Sequence, residues 1–237
     1  MKKVLASIGI GNASVDTVLP NESVSPGETV GNATQEIGTI RFEIETRYRT
    51  EDGYREVDLD RFTLAENLTI TPDTEETRSV TFDIPYDTPV TLGGVEVWIE
   101  TELDIDMAVD PEDVDYLDVR PTERLQTVFD AMDELGFSLR TAECEADPYG
   151  RYTAGRPFVQ EFEFRPSGGP FRGDLDELEL VPVPGPDELE LFVEVDRRGG
   201  LLSEMAETDE RRTGTTVDST DVATVREQLR ELIEQHV

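Results

Sequence analysis

The stretch Gly38-Thr39-Ile40-Arg41-Phe42-Glu43-Ile44-Glu45-Thr46-Arg47-Tyr48 decides how the chain is read. Ile40, Phe42, Ile44 and Thr46 alternate with Arg41, Glu43, Glu45 and Arg47. Successive side chains of a strand point to opposite faces, so this is a half-buried strand with one apolar and one charged face. Working outward, residues 55–64, 68–70 and 78–84 supply further strand candidates, and 14–19 partly alternates before Pro20-Asn21-Glu22 interrupts it. Residues 95–103 (VEVWIETEL) put Val95, Val97 and Ile99 on one face and the only Trp, Trp98, on the other. Ser25-Pro26-Gly27-Glu28 has Pro and Gly where a turn favours them. Short strands broken by Gly, Pro and Asp turns indicate a β-sandwich.

Residues 121–136 change period. Leu125, Val128, Phe129, Met132 and Leu135 recur every three or four positions, an apolar helical stripe. Thr122 is its N-cap and Gly136 its C-terminal stop. Strands resume at 137–144, 157–164, 176–181 and 188–195, and Pro182-Val183-Pro184-Gly185-Pro186-Asp187 is expected to be a loop because Pro cannot donate to a ladder. Residues 197–214 are polar and turn-like. From Thr220 onward Val222, Val225, Leu229, Leu232 and Ile233 line one side of an amphipathic helix. The chain is therefore expected to be mainly β: a sandwich over 1–120, a linking helix over 121–136, a second sandwich over 137–214 and a C-terminal helix over 215–237.

Charge is the dominant compositional fact. Asp and Glu number 54 against 21 Lys and Arg, a formal charge of -33, and Lys2 and Lys3 are the only lysines. A compact chain so charged repels itself. Concentrated salt shortens the Debye length to about 3 Å at 1 M and removes most of that penalty. The pattern points to a salt-saturated cytoplasm, as in a halophile. The acids are interleaved with apolar residues, which fits an acidic tail or a disordered chain poorly. The charge opposes binding to nucleic acid or to an anionic membrane face. No apolar run is long enough to cross a bilayer. The start, MKKVLASIGI, only faintly resembles a signal peptide, since Ser7 and Gly9 interrupt its apolar stretch. All four Asn, Asn12, Asn21, Asn32 and Asn67, sit in glycosylation-type triplets. Chance and turn preference in a Thr-rich chain explain these, and N-glycosylation of a cell-surface binding module is the alternative.

No motif in the chain specifies catalysis. Gly9-Ile10-Gly11-Asn12-Ala13-Ser14 resembles a dinucleotide fingerprint with Ser in the third glycine's place, but strands rather than a helix follow it. Cys144 and His236 are the single thiol and imidazole, one in a strand and one at the penultimate position. A nucleophile pair would need them adjacent in space, and one of each excludes an ordinary zinc site. A single Cys also excludes an intrachain disulfide. Asp104, Asp106, Asp110, Glu112, Asp113, Asp115 and Asp118 crowd one stretch, yet the EF-hand positions hold Val109 for Gly and Asp115 for Glu. That stretch reads as a solvated acidic loop. No catalytic residue, cofactor site or metal site is expected. Asp196, Arg197 and Arg198 end the last long strand, where an ion pair could latch two domains, Arg being suited by its planar donors.

Residues 5–17 (LASIGIGNASVDT), 26–28 (PGE), 84–91 (IPYDTPVT), 97–120 (VWIETELDIDMAVDPEDVDYLDVR), 128–146 (VFDAMDELGFSLRTAECEA), 157–180 (PFVQEFEFRPSGGPFRGDLDELEL) and 191–200 (LFVEVDRRGG) together resemble the sporulation-control protein family. The resemblance implies two arrestin-like antiparallel β-sandwich domains, a non-enzymatic regulatory or scaffolding role, and domains held in register by charge pairs with Asp196, Arg197 and Arg198 among the candidates. It transfers no biological process. The family places another strand and a Gly-Gly turn after the segment matching 26–30, whereas this chain passes directly to Gly31-Asn32-Ala33-Thr34. Only Glu28, Thr29 and Val30 lie between two turns, too few for a usual strand of about 5 residues. Either an edge strand of the first sandwich is absent or residues are missing from the recorded chain. Absence would leave Thr29, Val30 and Thr34 at an open edge, ready to pair with a protein partner or, in a homodimer, with a second copy. The expected protein is thus a cytoplasmic, halophilic interaction protein with protein partners, no nucleic acid and no integral membrane segment.

Overall fold

The computed structural model describes residues 23–35, 39–65, 78–104, 112–153, 155–197 and 212–236. Among them run twelve strands and two helices, and the chain divides into two compact units. Residues 1–47, 56–91 and 96–120 form the first, and residues 48–55, 92–95 and 121–237 the second. The candidate strands at 14–19 and 68–70 and the glycine-rich stretch 9–14 lie outside the described residues.

In the first unit, β3 (Thr39–Thr50) pairs with β4 (Gly53–Ala65) and, antiparallel, with β6 (Val97–Asp104). β6 is antiparallel to β7 (Glu112–Val119), and β1 (Ser23–Val24) joins β7 in parallel. The alternation of β3 is realised. Phe42 and Ile44 are buried, with Ile44 opposite Ile99 and Thr46 opposite Val97. β2 (Thr29–Gln35) and β5 (Arg78–Asp83) make a separate antiparallel pair. Phe82 of β5 lies 6.5 Å from the Phe42 ring and 5.7 Å from that of Phe62, so this pair packs on the apolar side of the larger sheet as the second layer of a sandwich.

The second unit is built on an antiparallel run, β8 (Phe137–Ala146), β9 (Phe158–Pro166), β10 (Leu175–Pro184), β11 (Leu189–Arg197) and β12 (Arg212–Val217). Helix α1 (Glu123–Glu134) begins at Thr122, whose hydroxyl accepts from the Leu125 N–H. Its stripe of Leu125, Val128 and Met132 is buried, and the Phe129 ring meets Phe162 edge-on at 5.0 Å. The helix stops at Gly136, which has φ +88° and packs so closely that a Cβ would stand 2.6 Å from the Gly168 backbone. Helix α2 (Val222–Glu234) is capped by Asp221 and buries Val225, Leu229 and Ile233. Its Gln228 amide donates to the Thr216 carbonyl and the Thr215 hydroxyl, covering part of the last strand's edge.

Four expectations are corrected. The segment judged too short to pair is a seven-residue strand, β2, that matches β5 from Thr29 to Gln35. A bulge between Gly31 and Ala33 absorbs the small and turn-forming residues that read as a break. The acidic stretch is not all loop, because Glu112–Val119 is strand β7. The polar tail of 197–214 ends in β12. The proline-rich joint is partly ladder, with Pro182 opposite Leu191 and Pro184 opposite Leu189. Two residues apart, these prolines face the same side, and β10 meets β9 only at Leu178, Glu179 and Leu180. Their missing N–H groups therefore fall where no partner strand requires a donor.

Candidate functional site

The register of β3 against β6 assembles an uncommon group on the sheet face away from the apolar core. Glu43 stands opposite Glu100, and Glu45 opposite Trp98. A charged side chain on this face should be hydrated, yet Glu45 is 8 % exposed and Trp98 7 %. The indole Nε1–H donates to Glu45 Oε2 at 2.7 Å. Glu100 and Asp58 both act on the Glu45 carboxyl, and an Asp58 oxygen lies within 4.8 Å of it. Burial above all, then the hydrogen bond with Glu100, raises Glu45 from its ordinary 4.5 to about 8, with Trp98 opposing the shift.

One cation sits in this group. Arg61 of β4 places Nε 2.6 Å from Glu43 Oε1 and Nη2 2.7 Å from Asp58 Oδ2. Carboxylate oxygens of Glu43, Glu45 and Asp58 lie within 4.8 Å of one another, and the guanidinium takes up two of these three acids. Ion pairs flank the group, Arg41 with Glu102 at 2.8 Å and Arg47 with Glu96 at 2.6 Å. Tyr116 of β7, opposite Trp98 and 61 % exposed, stands with its ring centroid 6.2 Å from the indole. The arrangement can hold or release a proton beside an indole.

A second charged group lies in the second unit. Arg49, at the end of β3, reaches Glu143 at 3.1 Å and Glu145 at 2.8 Å, both on β8. The Tyr54 hydroxyl donates to Glu143, and the Tyr48 ring stacks on Phe158 at 5.5 Å. Burial raises the Glu145 carboxyl above its usual value, Arg49 opposing and Glu143 adding. A polar cleft of about 500 Å³ is lined by Arg165, Pro166, Arg172, Gly173, Leu175 and Asp176. Its Arg165 is already shared between Glu163 and Glu177.

Asp196 and Arg197 end β11, opposite Glu177 and Leu175, and their side chains, like all of Arg198, lie outside what is described. Thr29, Val30 and Thr34 pair with Asp83, Phe82 and Ser79. Cys144 is buried in β8, opposite Gln160. His236 follows α2, its Nδ1 2.8 Å from the Leu232 carbonyl oxygen. Asn32 lies in β2 at the bulge; Asn12, Asn21 and Asn67 fall outside the described residues. Sequence reasoning missed the Glu45–Trp98 pair. The available signal was a tryptophan set among charged residues on the outward face of a strand.

The profile of the family described as SpoOM protein matches residues 1–199. The chain is 37 % identical over 254 residues to the sporulation-control protein spo0M of Bacillus subtilis (strain 168), covering 99 % of this chain and 98 % of the relative. That aligned length exceeds the 237 residues of the chain, so some of the relative's residues have no counterpart here. The fold also matches the crystal structure of Spo0M from Bacillus subtilis with a TM-score of 0.86 and 35 % identity, covering 96 % of this chain and 100 % of that one.

Proposed function

The chain belongs to the SpoOM protein family, and from that premise we propose that it is a non-enzymatic regulatory or scaffolding protein. It binds protein partners through the edges and loops of its arrestin-like sandwiches, in a salt-rich cytoplasm. The observation that carries this reading is likeness along 99 % of the chain to a protein named for sporulation control. Two surface features support it. Tyr54, just past the β3–β4 turn, is 59 % exposed and Tyr149, between β8 and β9, is 79 % exposed. Tyrosines of this kind supply contact area at little entropic cost and are enriched in protein interfaces. The charge of -33 turns phosphate polymers away and favours basic patches on other proteins. Among the described residues no helix is long and apolar enough to cross a membrane.

Affinity capture from native lysate, with salt stepped from about 0.2 to about 3 M across the range in which screening changes most, tests the proposal. The tagged chain should retain a defined protein, and a Tyr54→Ser/Tyr149→Ser variant of equal stability should retain less of it. Absence of any stable protein partner at every salt concentration would overturn the reading.

A further inference from the structure

We propose that Glu45 is a proton-operated switch on the outer face of the first unit's sheet: protonated, it stays buried beside the Trp98 indole and keeps the face packed; ionised, it draws in water and loosens the face. This inference is independent of which partner the protein binds. It starts from the inventory of charges. From β6, Trp98 and Glu100 face Glu45; from β4, Asp58 and Arg61; from its own strand, Glu43, with Arg47 and Arg41 farther along the same face paired to Glu96 and Glu102; and the Tyr116 ring of β7 stands beside the indole. The Arg61 guanidinium is bound to Glu43 and Asp58, and Arg41 and Arg47 pair with Glu102 and Glu96. Glu45 and Glu100 must settle their charge between themselves. A second negative charge beside these acids on a dry face is costly, so one proton is retained. The retained proton resides on Glu45, the more buried of the two.

Burial sets the direction of the response, against the indole hydrogen bond, which by itself favours the ionised carboxylate. With Glu45 neutral, its Oε2 accepts from Trp98 Nε1–H in a nearly dry setting that suits an uncharged carboxyl group. Loss of the proton creates an anion that one indole N–H cannot satisfy in place of water, and hydration of Glu45 requires the neighbouring Trp98 ring to shift. The face therefore loosens as pH rises. Burial and Glu100 place that step at about 8, within reach of physiological alkalinisation.

Trp98 is the only Trp, so emission and the indole ¹⁵N–¹H resonance each report one site. The full chain is titrated from about pH 6 to about pH 9.5 in about 2 M KCl, where charge–charge effects elsewhere on the surface are screened. The Nε1–H resonance should pass through one transition with its midpoint above neutrality, and emission should shift to the red along the same curve. Glu45→Gln keeps an oxygen acceptor for the indole and cannot ionise, so both signals should stay flat. Glu100→Gln removes the like charge, so its midpoint should fall by about a pH unit, a tenfold easier proton loss. A flat wild-type titration, an identical transition in Glu45→Gln, or a midpoint in Glu100→Gln no lower than wild type would each overturn the proposal. The wild-type indole resonance decides the first outcome even where a variant does not fold.

Discussion

Burial of Glu45 against Trp98 links folding to protonation at a single residue. The unfolded chain gives up this proton near the ordinary 4.5, whereas the folded chain keeps it to about 8. Between those values the folded state binds more protons, so the stability held by this group is complete below 4.5 and is lost as pH rises through 8. Glu145 shifts the same way. Denaturant titration in concentrated salt should therefore show stability falling by a few kcal/mol between about pH 5 and about pH 9, with a shallower fall in Glu45→Gln. A wild-type chain that gains stability over that interval would contradict the sign. Backbone geometry gives a second test at this scale. Gly93 has φ +65°, and a Cβ there would stand 2.8 Å from both N and O of Ala142; Gly94 has φ +102° with open space around it. Gly93→Ala should cost at least about 2 kcal/mol and Gly94→Ala less, because only the first adds a clash to the left-handed backbone penalty. Two-letter periodicity identified which face of β3 carries Glu45 but not what covers that face. Burial there comes from residues of other strands, among them Trp98, and their approach is not written in the local pattern.

Among the elements, α1 was the most legible, since its stripe, its cap and its glycine stop all agree. Thr122→Ala should lower stability by about 1 kcal/mol by leaving the Leu125 N–H without its side-chain acceptor. Phe129→Ala removes a half-buried ring that contacts both Phe162 and Phe164 and should cost about 2 kcal/mol or more. Thermal melts followed by circular dichroism separate the two by size. Strands β8, β9 and β11 were legible because their apolar residues alternate. β7 was not, because Asp113 and Asp115 share a face with Leu117 and Val119 while Val114 and Tyr116 point outward and are exposed. That inversion reads as an acidic loop. β12 was invisible for a different reason: of the residues whose burial is described, only Val217 is buried, as befits a terminal strand whose other side is met by Gln228. β2 was misjudged because a bulge, not a turn, accommodates Gly31 and Asn32.

For the whole molecule, the charge of -33 sets the conditions under which every smaller term operates. The thermal midpoint should rise steeply with KCl up to about 1 M and then level off, as the Debye length shrinks to about 3 Å. A midpoint indifferent to salt would remove the argument for a salt-rich habitat. The sandwich architecture was legible in composition and period, whereas the grouping into units was not. Contacts between strands distant in sequence assign residues 48–55 and 92–95 to the unit that contains 121–237, and reading in order yields only contiguous pieces. Genetic dissection meets the consequence. A gene cut after residue 120 would yield a C-terminal product lacking Tyr48 for Phe158, Arg49 for Glu145 and the glycine loop beside Ala142. Neither product is then a natural building block, so bait fragments truncated at that boundary would misreport the protein's associations, and complementation by co-expressed halves is the sounder way to take it apart.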